Sequence, residues 1–451
     1  MQICPPEAEP PITLAENSRI NRESCSDIAI ANGTCLSIMP LMNAIDMLET
    51  VVLDSAVTQK LPVPAMSDSA PAKPPDDKTP TDPEFAELVD NYKALIHSRS
   101  IPYPVSYQFI KELGHGRQGV VFLVNRNGAR GCITYHAVKL FDPGIYSSAA
   151  KYWTDMGRIA KQVSLLQPFN NSNLVSCDFY EECNGIGYML MQAVDGVDLQ
   201  FLLDGQHLNI ARARCTDEEW TDFFTTIFRQ DGQRLSFQPG VALHIMRNVL
   251  RGLSVLHDNG FVHGDIKPTN IMMDIQGTVK LVDFGRAARI GERVNILLGS
   301  PLYMAPEIHR REPGLIQSDL FSAGLVGLEM LQGHQINDLA DLNENELQDC
   351  KMALAGQIER WLPPDVLKNI EFTHVLKQFL NADAVNRFPT AKDAESGEHS
   401  LITARQWMND LERETEYERK IEAYLTKLVD PETGTLNPHF GSDNLTAVII
   451  M

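Results

Sequence analysis

Three short motifs follow one another in residues 263–307, and they constrain the chain more than any other feature. They are His-Gly-Asp-Ile-Lys-Pro-Thr-Asn (263–270), Asp-Phe-Gly (283–285) and Gly-Ser-Pro-Leu-Tyr-Met-Ala-Pro-Glu (299–307). Transfer of a phosphoryl group needs a carboxylate that orients the attacking hydroxyl, a cation near the migrating phosphate and oxygen ligands for Mg²⁺. Four residues within a span of nineteen supply these groups: Asp265, Lys267, Asn270 and Asp283.

A glycine-rich segment lies about 150 residues before the Asp265 motif. It reads Gly-His-Gly-Arg-Gln-Gly-Val-Val (114–121), and Lys139 follows Gly119 by 20 positions in the context Ala-Val-Lys. Glycines let backbone N–H groups approach phosphates, and a strand lysine supplies a positive charge for them. Alone the glycine motif would be weak, but its order and spacing relative to the later motifs predict a nucleotide clamp.

The segments together resemble the eukaryotic-type Ser/Thr protein kinase family (Hanks-type). The resemblance covers about 300 residues, from Tyr107 to roughly Glu412. It implies an α+β, bilobal protein-kinase fold, with a small antiparallel-sheet lobe that carries one main helix and a larger, mainly helical lobe. It also implies ATP and Mg²⁺ as cofactors and protein substrates with Ser/Thr acceptors.

The resemblance assigns roles to individual residues. Met191 would form the back wall of the adenine pocket, and backbone groups of residues 192–194 would bind adenine. The catalytic residues implied are Asp265, Lys267 and Lys139, and the metal ligands implied are Asn270 and Asp283. The residues implied for ATP are Gly114, Gly116, Gly119, Val121, Ala137, Lys139, Met191, Gln192, Val194 and Met272.

Three structural contacts are also expected. Asp319 should bond the backbone near His263, and His263 should pack against Phe284 as a core residue. Arg387 is placed to form a salt bridge with Glu307.

The pattern along the chain predicts four regions. Residues 1–84 are rich in Pro, Ser and Asp and are expected to be largely disordered. The others are a leader helix and linker (85–106), a kinase domain (107–412) and a helical, apolar tail (413–451). Within the kinase domain the small lobe spans 107–191 and the large lobe 192–412, with an insert at about 204–238. That insert reads either as a surface elaboration or as a substrate-selecting element.

Composition limits the partners. A net charge of −20 disfavours nucleic acid and anionic lipid, since phosphates need a positive counter-surface. The eight cysteines contain no C-x-x-C pair, and the sequence shows neither a signal peptide nor an apolar run of membrane-spanning length. The expected location is therefore the cytoplasm, with no membrane span.

One departure from the family pattern concerns Lys139. The helix after its strand should present a glutamate to this lysine, yet no Glu occurs between Leu113 and Tyr180. Ungapped counting puts Gln162 at that position, and Asp155 is the alternative on a similar helical face. Because an amide cannot neutralise an ammonium, weak or partner-dependent activity is expected.

Two further departures concern regulation. The residue before Asp265 is Gly264, where many regulated kinases carry an arginine that receives a phosphate. Residues 284–299 contain no Ser, Thr or Tyr. These two absences predict that phosphorylation of the activation segment is not the switch.

The sequence therefore favours a Ser/Thr protein kinase. Lys267, and Ser300 as a hydroxyl that would contact it, favour Ser/Thr over Tyr acceptors. The alternatives are a pseudokinase or weakly active kinase that acts as an ATP-binding scaffold, and a small-molecule kinase, whose catalytic loop also opens with His-Gly-Asp.

Overall fold

An antiparallel sheet and a helical body flank a single cleft in the computed structural model of this protein. The structure describes residues 82–101, 106–231, 234–293, 301–335, 342–408, 414–431, 436 and 447–448. All of them belong to one compact unit, Pro75–Met451. Residues 1–81, for which disorder was predicted, and Ser300 lie outside the described residues.

Six strands form the first sheet, in the order β1-β2-β3-β4-β6-β5 with antiparallel pairing. In β2 every second side chain enters the core at first, whereas β6, which lies between β4 and β5, is buried along almost its whole length. The strands are β1 (Ser100–Ile101), β2 (Tyr107–Gly116), β3 (Gly119–Asn127), β4 (Ile133–Phe141), β5 (Cys177–Cys183) and β6 (Ile186–Gln192).

Two helices accompany this sheet. Helix α1 (Pro83–Ser98) begins at the N-cap Asp82, whose carboxylate accepts a hydrogen bond from the Glu84 backbone. Its buried face, which includes Leu88 and Tyr92, repeats at helical spacing and joins the hydrophobic core. Helix α2 (Ala149–Leu166) begins at the N-cap Ser148 and packs against β5.

The second body is mainly helical. Its longest members are α6 (Pro239–Asp258) and α8 (Ile316–Gln332), which pack on each other with almost every residue of α8 buried. The remaining helices are α3 (Leu199–Asp204), α4 (His207–Ala213), α5 (Asp217–Thr226), α7 (Pro306–His309), α9 (Glu344–Leu354), α10 (Pro364–Leu367), α11 (Ile370–Phe379), α12 (Ala391–Ser396), α13 (Leu401–Trp407) and α14 (Glu414–Thr426). The α+β, two-lobed prediction is confirmed.

Short strands line the edge of this body. They are β7 (Gly196–Asp198), β8 (Phe228–Asp231), β9 (Arg234–Phe237), β10 (Phe261–Val262), β11 (Ile271–Asp274), β12 (Val279–Leu281), β13 (Ala288–Arg289) and β14 (Ala447–Val448). The order β12-β11-β7-β14 makes a four-stranded sheet, so the apolar strand near the C-terminus pairs with the chain just after β6. None of the helices in the described ranges is long and apolar enough to cross a membrane.

The insert and helix α14 pack on each other. Tyr424 of α14 is buried with its ring against His207 and Phe228, and it hydrogen-bonds His207. At the rim, Lys427 pairs with Glu219 at 2.7 Å. The insert therefore provides a platform for the C-terminal helix.

A buried salt bridge fixes the end of the third sequence motif. The Arg387 guanidinium donates to both oxygens of Glu307, at 2.7 and 2.9 Å, and Ser318 donates to the same carboxylate at 2.7 Å. Both partners are almost fully buried, and the pKa of Glu307 is lowered because these donors outweigh the effect of burial. The predicted pair of Arg387 and Glu307 is present.

Candidate active site

A cleft of about 580 Å³ lies between the sheet and the helical body, and every site residue named from the sequence lines it. Further lining residues were not expected from the motifs. Those that bear on the chemistry are Gln118 and Arg286.

The glycine-rich segment forms the hairpin between β2 and β3, which covers the cleft. Gly116 pairs with Gly119 across the hairpin. Gly119 has φ +141°, and a Cβ there would lie 1.8 Å from the Leu140 carbonyl oxygen. A side chain cannot be accommodated at Gly119, so this glycine is required by the close approach of β4.

The apolar end of the cleft is built by strands that face each other. Ala137 of β4 pairs with Met191 of β6, and Met272 of β11 lies on the opposite wall. The chain after Met191 passes the cleft at Gln192 and Val194. This end has the apolar walls and adjacent backbone that a planar base requires.

A buried ion pair lies at the polar end. Lys139 Nζ is 2.5 Å from Asp283 Oδ1, and the lysine is 4% exposed. Burial alone would raise the pKa of Asp283, but the Lys139 ammonium outweighs it and holds the pKa at about 2. Asp283 has φ +64°, which turns its carboxylate into the cleft at the end of β12.

The second acceptor for Lys139 comes from the glycine-rich hairpin. Lys139 Nζ donates to Gln118 Oε1 at 3.0 Å, and Gln118 Nε2 donates to the Gly285 carbonyl at 3.5 Å. Gln118 thus joins the hairpin tip to β4 and to the Asp-Phe-Gly motif. The glycine spacing gave no signal for this contact, because the pattern fixes the backbone and leaves the direction of an intervening side chain open.

The structure corrects the expectation that Gln162 or Asp155 of α2 faces Lys139. Gln162 donates its amide to the Ala287 carbonyl and accepts from Arg158 at 2.9 Å. Asp155, the single acidic residue of this fully described helix, accepts from Tyr146 at 2.5 Å and from Arg158 at 2.7 Å.

Arg158 explains why these side chains turn away from Lys139. It donates to the Gly285 carbonyl at 3.2 Å and to Ala287 at 3.3 Å. The face of α2 that meets the Asp-Phe-Gly motif therefore presents a cation, which attracts Asp155 and the carbonyl side of Gln162. A carboxylate does not reach Lys139 from this helix.

Three cationic or amide groups surround Asp265. Lys267 Nζ lies 2.9 Å and Asn270 Nδ2 3.0 Å from Asp265 Oδ2, while Arg286 Nη1 lies 3.4 Å from Oδ1. Asn270 also donates to the Asp265 carbonyl at 2.7 Å. The carboxylate is held in one orientation, and its Oδ1 faces the cleft beside Arg286.

A buried scaffold fixes the loop that carries Asp265. Asp319 accepts from the backbone N–H groups of His263 at 2.7 Å and Gly264 at 2.9 Å, and its carboxylate also contacts His257 at 2.9 Å. Gly264 has φ +73°, and a Cβ there would lie 3.0 Å from the Arg286 carbonyl oxygen. The expected role of Asp319 is observed, and the local backbone explains why glycine precedes Asp265.

His263 belongs to the core rather than to the reacting groups. Its ring lies 5.3 Å from the ring of Phe284, as expected, and burial lowers its pKa. The neutral ring has its proton on Nε2, which contacts the Val282 carbonyl at 3.1 Å, while Nδ1 accepts from the Asp265 backbone at 3.4 Å.

The donor set beside the ion pair fits Mg²⁺. Asn270 uses its amide nitrogen on Asp265, which leaves its oxygen, and Asp283 offers a carboxylate that is 34% exposed toward the cleft. Mg²⁺ is commonly held by one or two protein oxygens together with phosphates and water. Among the described residues no cluster of three His, Cys, Asp or Glu could hold a metal, so a protein-only cage is not offered there.

Comparison with known proteins also indicates a protein kinase domain. Residues 107–399 match the family model described as protein kinase domain. Serine/threonine-protein kinase SMU1 of Mycosarcoma maydis is 35% identical over 146 residues, which cover 32% of this chain and 19% of that protein. Serine/threonine-protein kinase sid1 of Schizosaccharomyces pombe is 30% identical over 241 residues, covering 51% and 42% respectively.

A third relative is serine/threonine-protein kinase shk1/pak1 of Schizosaccharomyces pombe, which is 39% identical over 129 residues, or 28% of this chain and 19% of that protein. The chain thus spans less than half the length of these curated relatives. The family model nevertheless covers about two thirds of the chain. The sequence-based assignment to the eukaryotic-type Ser/Thr kinases is confirmed at the level of the family, and the chain belongs to the protein kinase family.

Proposed function

We propose that this chain transfers the γ-phosphate of ATP to Ser or Thr hydroxyls of protein substrates. The observation that carries the proposal is that one cleft is lined by Asp265, with Lys267 at 2.9 Å, and by the pair of Lys139 and Asp283, at 2.5 Å. The first pair suits an attacking hydroxyl, and the second suits a Mg²⁺-bound polyphosphate.

ATP would lie with its base in the apolar end and its phosphates under the hairpin. The apolar contacts come from Val121, Ala137, Met191, Val194 and Met272, all of which line the cleft. Backbone groups of residues 192–194 would hydrogen-bond adenine, and the three glycines of the hairpin would let backbone N–H groups reach the phosphates. Asn270 and Asp283 would hold Mg²⁺, which neutralises developing phosphate charge.

The transfer forms a bond between the acceptor oxygen and the γ-phosphorus. It breaks the bond between the γ-phosphorus and the oxygen that bridges the β- and γ-phosphates, so ADP is the leaving group. Asp265 Oδ1 orients the acceptor hydroxyl and takes its proton. Lys267, held 2.9 Å from Oδ2, offsets negative charge on the migrating group. The contacts from Asn270 to the Asp265 side chain and carbonyl fix the carboxylate before the substrate arrives.

One observation favours a second candidate function. No carboxylate of α2 pairs with Lys139, so the lysine lacks the helix carboxylate partner that is typical of active kinases. A pseudokinase or weakly active kinase that binds ATP as a scaffold, alone or with a regulatory partner, would fit this arrangement. Small-molecule phosphorylation is the weaker alternative, because the chain carries Lys267, the Asp-Phe-Gly motif and the Ala-Pro-Glu segment.

Control by activation-segment phosphorylation is not part of the proposal. Residues 284–299 offer no hydroxyl, and Gly264 replaces the usual phosphate-binding arginine. Protein substrates rather than nucleic acid, and action in the cytoplasm, belong to the proposal on the basis of charge and composition.

Substitution of Asp265 tests transfer itself. With Mg²⁺, γ-labelled ATP and a basic protein substrate, Asp265→Asn should lower the transfer rate by roughly 10²- to 10⁴-fold, because the hydroxyl loses its orienting base. ATP affinity should stay the same. Asp258→Asn, on the exposed end of α6, is the matched control and should transfer like the parent. ATP binding without any transfer by the parent would favour the scaffold instead.

Removal of the Gln118 side chain tests how phosphates reach Lys139. Phosphate oxygens must take the place of Gln118 Oε1 on the ammonium, so Gln118→Ala should tighten Mg-ATP binding about two- to tenfold, the worth of one competing hydrogen bond. Calorimetry measures the dissociation constant. Gln108→Ala, on the exposed face of β2, should leave it unchanged. Weaker binding by Gln118→Ala would show that Gln118 supports the phosphates.

Phosphatase treatment tests the regulation. Because residues 284–299 carry no acceptor, the specific activity of the purified protein should be the same before and after treatment. Mass spectrometry confirms that phosphate has been removed. A large loss of activity would contradict this expectation and would place an activating phosphate outside 284–299.

A further inference from the structure

Helix α9 buries a lysine in the body of the fold. Lys351 has no solvent exposure, and its Nζ donates to the carbonyl oxygens of Pro301 at 2.5 Å and Met304 at 2.7 Å. Its third neighbour is His309 Nε2 at 3.1 Å. The amine thus joins α9 to the segment that precedes α7 and to α7 itself.

Within the part of the chain that the structure describes, Lys351 Nζ contacts two carbonyl oxygens and a histidine nitrogen rather than a carboxylate. Glu344 lies beyond that histidine, with its Oε1 3.5 Å from His309 Nδ1. Glu344 is shared with Arg311 at 3.6 Å. Burial lowers the pKa of Lys351 from 10.5 to about 7, and burial together with the nearby Lys351 lowers that of His309.

The segment held by Lys351 lies beside the proposed transfer site. Pro301 lines the same cleft as Asp265 and Lys267, so the wall formed by residues 301–304 begins at the edge of the proposed transfer site. From the other side, Tyr303 donates to Glu329 of α8 at 2.6 Å, and Ser322 donates to the Tyr303 carbonyl at 2.7 Å. Three buried groups on α8 and α9 therefore fix this wall.

We propose that Lys351 is a positioning residue that holds residues 301–304 as the binding surface for the protein acceptor. The inference rests on the proposed function. A phosphate on residues 284–299 could order this wall in a chain that had a hydroxyl there, but this chain has none. The buried Lys351 amine supplies an internal donor for the same backbone.

The charge of Lys351 gives this role a distinctive pH dependence. Charge-assisted hydrogen bonds are roughly twice as strong as neutral ones, so the hold on residues 301–304 weakens as pH rises through about 7. The KM for the acceptor should therefore rise over the same range.

The stability of the fold should rise with pH, although the hold of Lys351 on residues 301–304 weakens. Between about pH 7 and 10.5 the folded protein has a neutral Lys351, whereas the unfolded chain carries a proton on it. Unfolding then takes up a proton, and the free energy of unfolding contributed by this group rises with pH. Glu329, whose pKa burial raises from 4.5 to about 7, contributes its own change below pH 7 and so acts in a separate window.

Lys351→Met, which keeps the length of the side chain but removes its charge and donors, is the decisive variant. With a serine-containing basic peptide, its KM for peptide should rise at least about fivefold, from the loss of two charge-assisted hydrogen bonds, and should no longer depend on pH between 6.5 and 8.5. The KM for ATP should be unchanged. Lys377→Met, at an exposed ion pair with Glu359, is the matched control and should behave like the parent.

Hydrogen exchange provides a readout that does not need catalysis. Corrected for intrinsic rates, exchange in Lys351→Met should increase at the amides of residues 302–305 and stay unchanged in α6 and α8. An unchanged peptide KM, or faster exchange spread over the whole helical body, would overturn the proposal. If the variant does not fold, a peptide KM of the parent that fails to rise from pH 6.5 to 8.5 overturns it equally.

The two proposals fail in different ways. A parent protein that transfers no phosphate overturns the proposed function, while exchange at residues 302–305 still decides the role of Lys351. A parent that transfers phosphate with a peptide KM independent of Lys351 leaves the function intact and overturns the inference.

Discussion

The ion pair between Lys139 and Asp283 is the interaction on which the rest of the site depends. It joins β4 of the sheet to the end of β12 in the helical body, across the floor of the cleft, at 2.5 Å. A lysine that is 4% exposed would be strongly disfavoured without a compensating charge, so the pair fixes the two walls of the cleft relative to one another. Gln118 extends the contact to the hairpin, and Arg158 extends it to α2 through the Gly285 carbonyl.

Lys139 and Lys351, the lysines that are buried among the described residues, are stabilised by different means. Lys139 has a carboxylate, whereas Lys351 has two carbonyl oxygens and a histidine. Uncharged acceptors stabilise an ammonium less than a carboxylate does, and burial therefore brings the pKa of Lys351 to about 7. Lys139 is thus held by an opposite charge beside the proposed phosphate site, whereas the charge of Lys351 changes with pH near 7.

Local spacing explains why much of the site could be predicted from the sequence. Asp265, Lys267 and Asn270 lie within six residues, so one short loop brings them together once Asp319 fixes its backbone. Asp319 and Arg387 could be placed because their motifs resemble those of a known family. The contacts of Gln118, Arg158, Arg286 and Lys351 could not be predicted, since each depends on which way a long side chain turns between elements that are far apart in sequence.

The prediction that Gln162 faces Lys139 was wrong for the same reason. Counting along the chain identified a residue on the correct helix, but helix position and side-chain direction are set by packing, and Arg158 occupies the face toward the Asp-Phe-Gly motif. Helix α2 contains no glutamate, and the side-chain oxygen that Lys139 contacts besides Asp283 belongs to Gln118 rather than to a residue of α2.

The dependence of ATP binding on Mg²⁺ tests the central claim most directly. If Lys139 and Asp283 form a site for a metal-bound polyphosphate, calorimetry should show that Mg²⁺ strengthens ATP binding by the parent and has little effect on Asp283→Asn, because the metal loses its charged ligand. Equal affinity of the parent for ATP with and without Mg²⁺ would contradict the account.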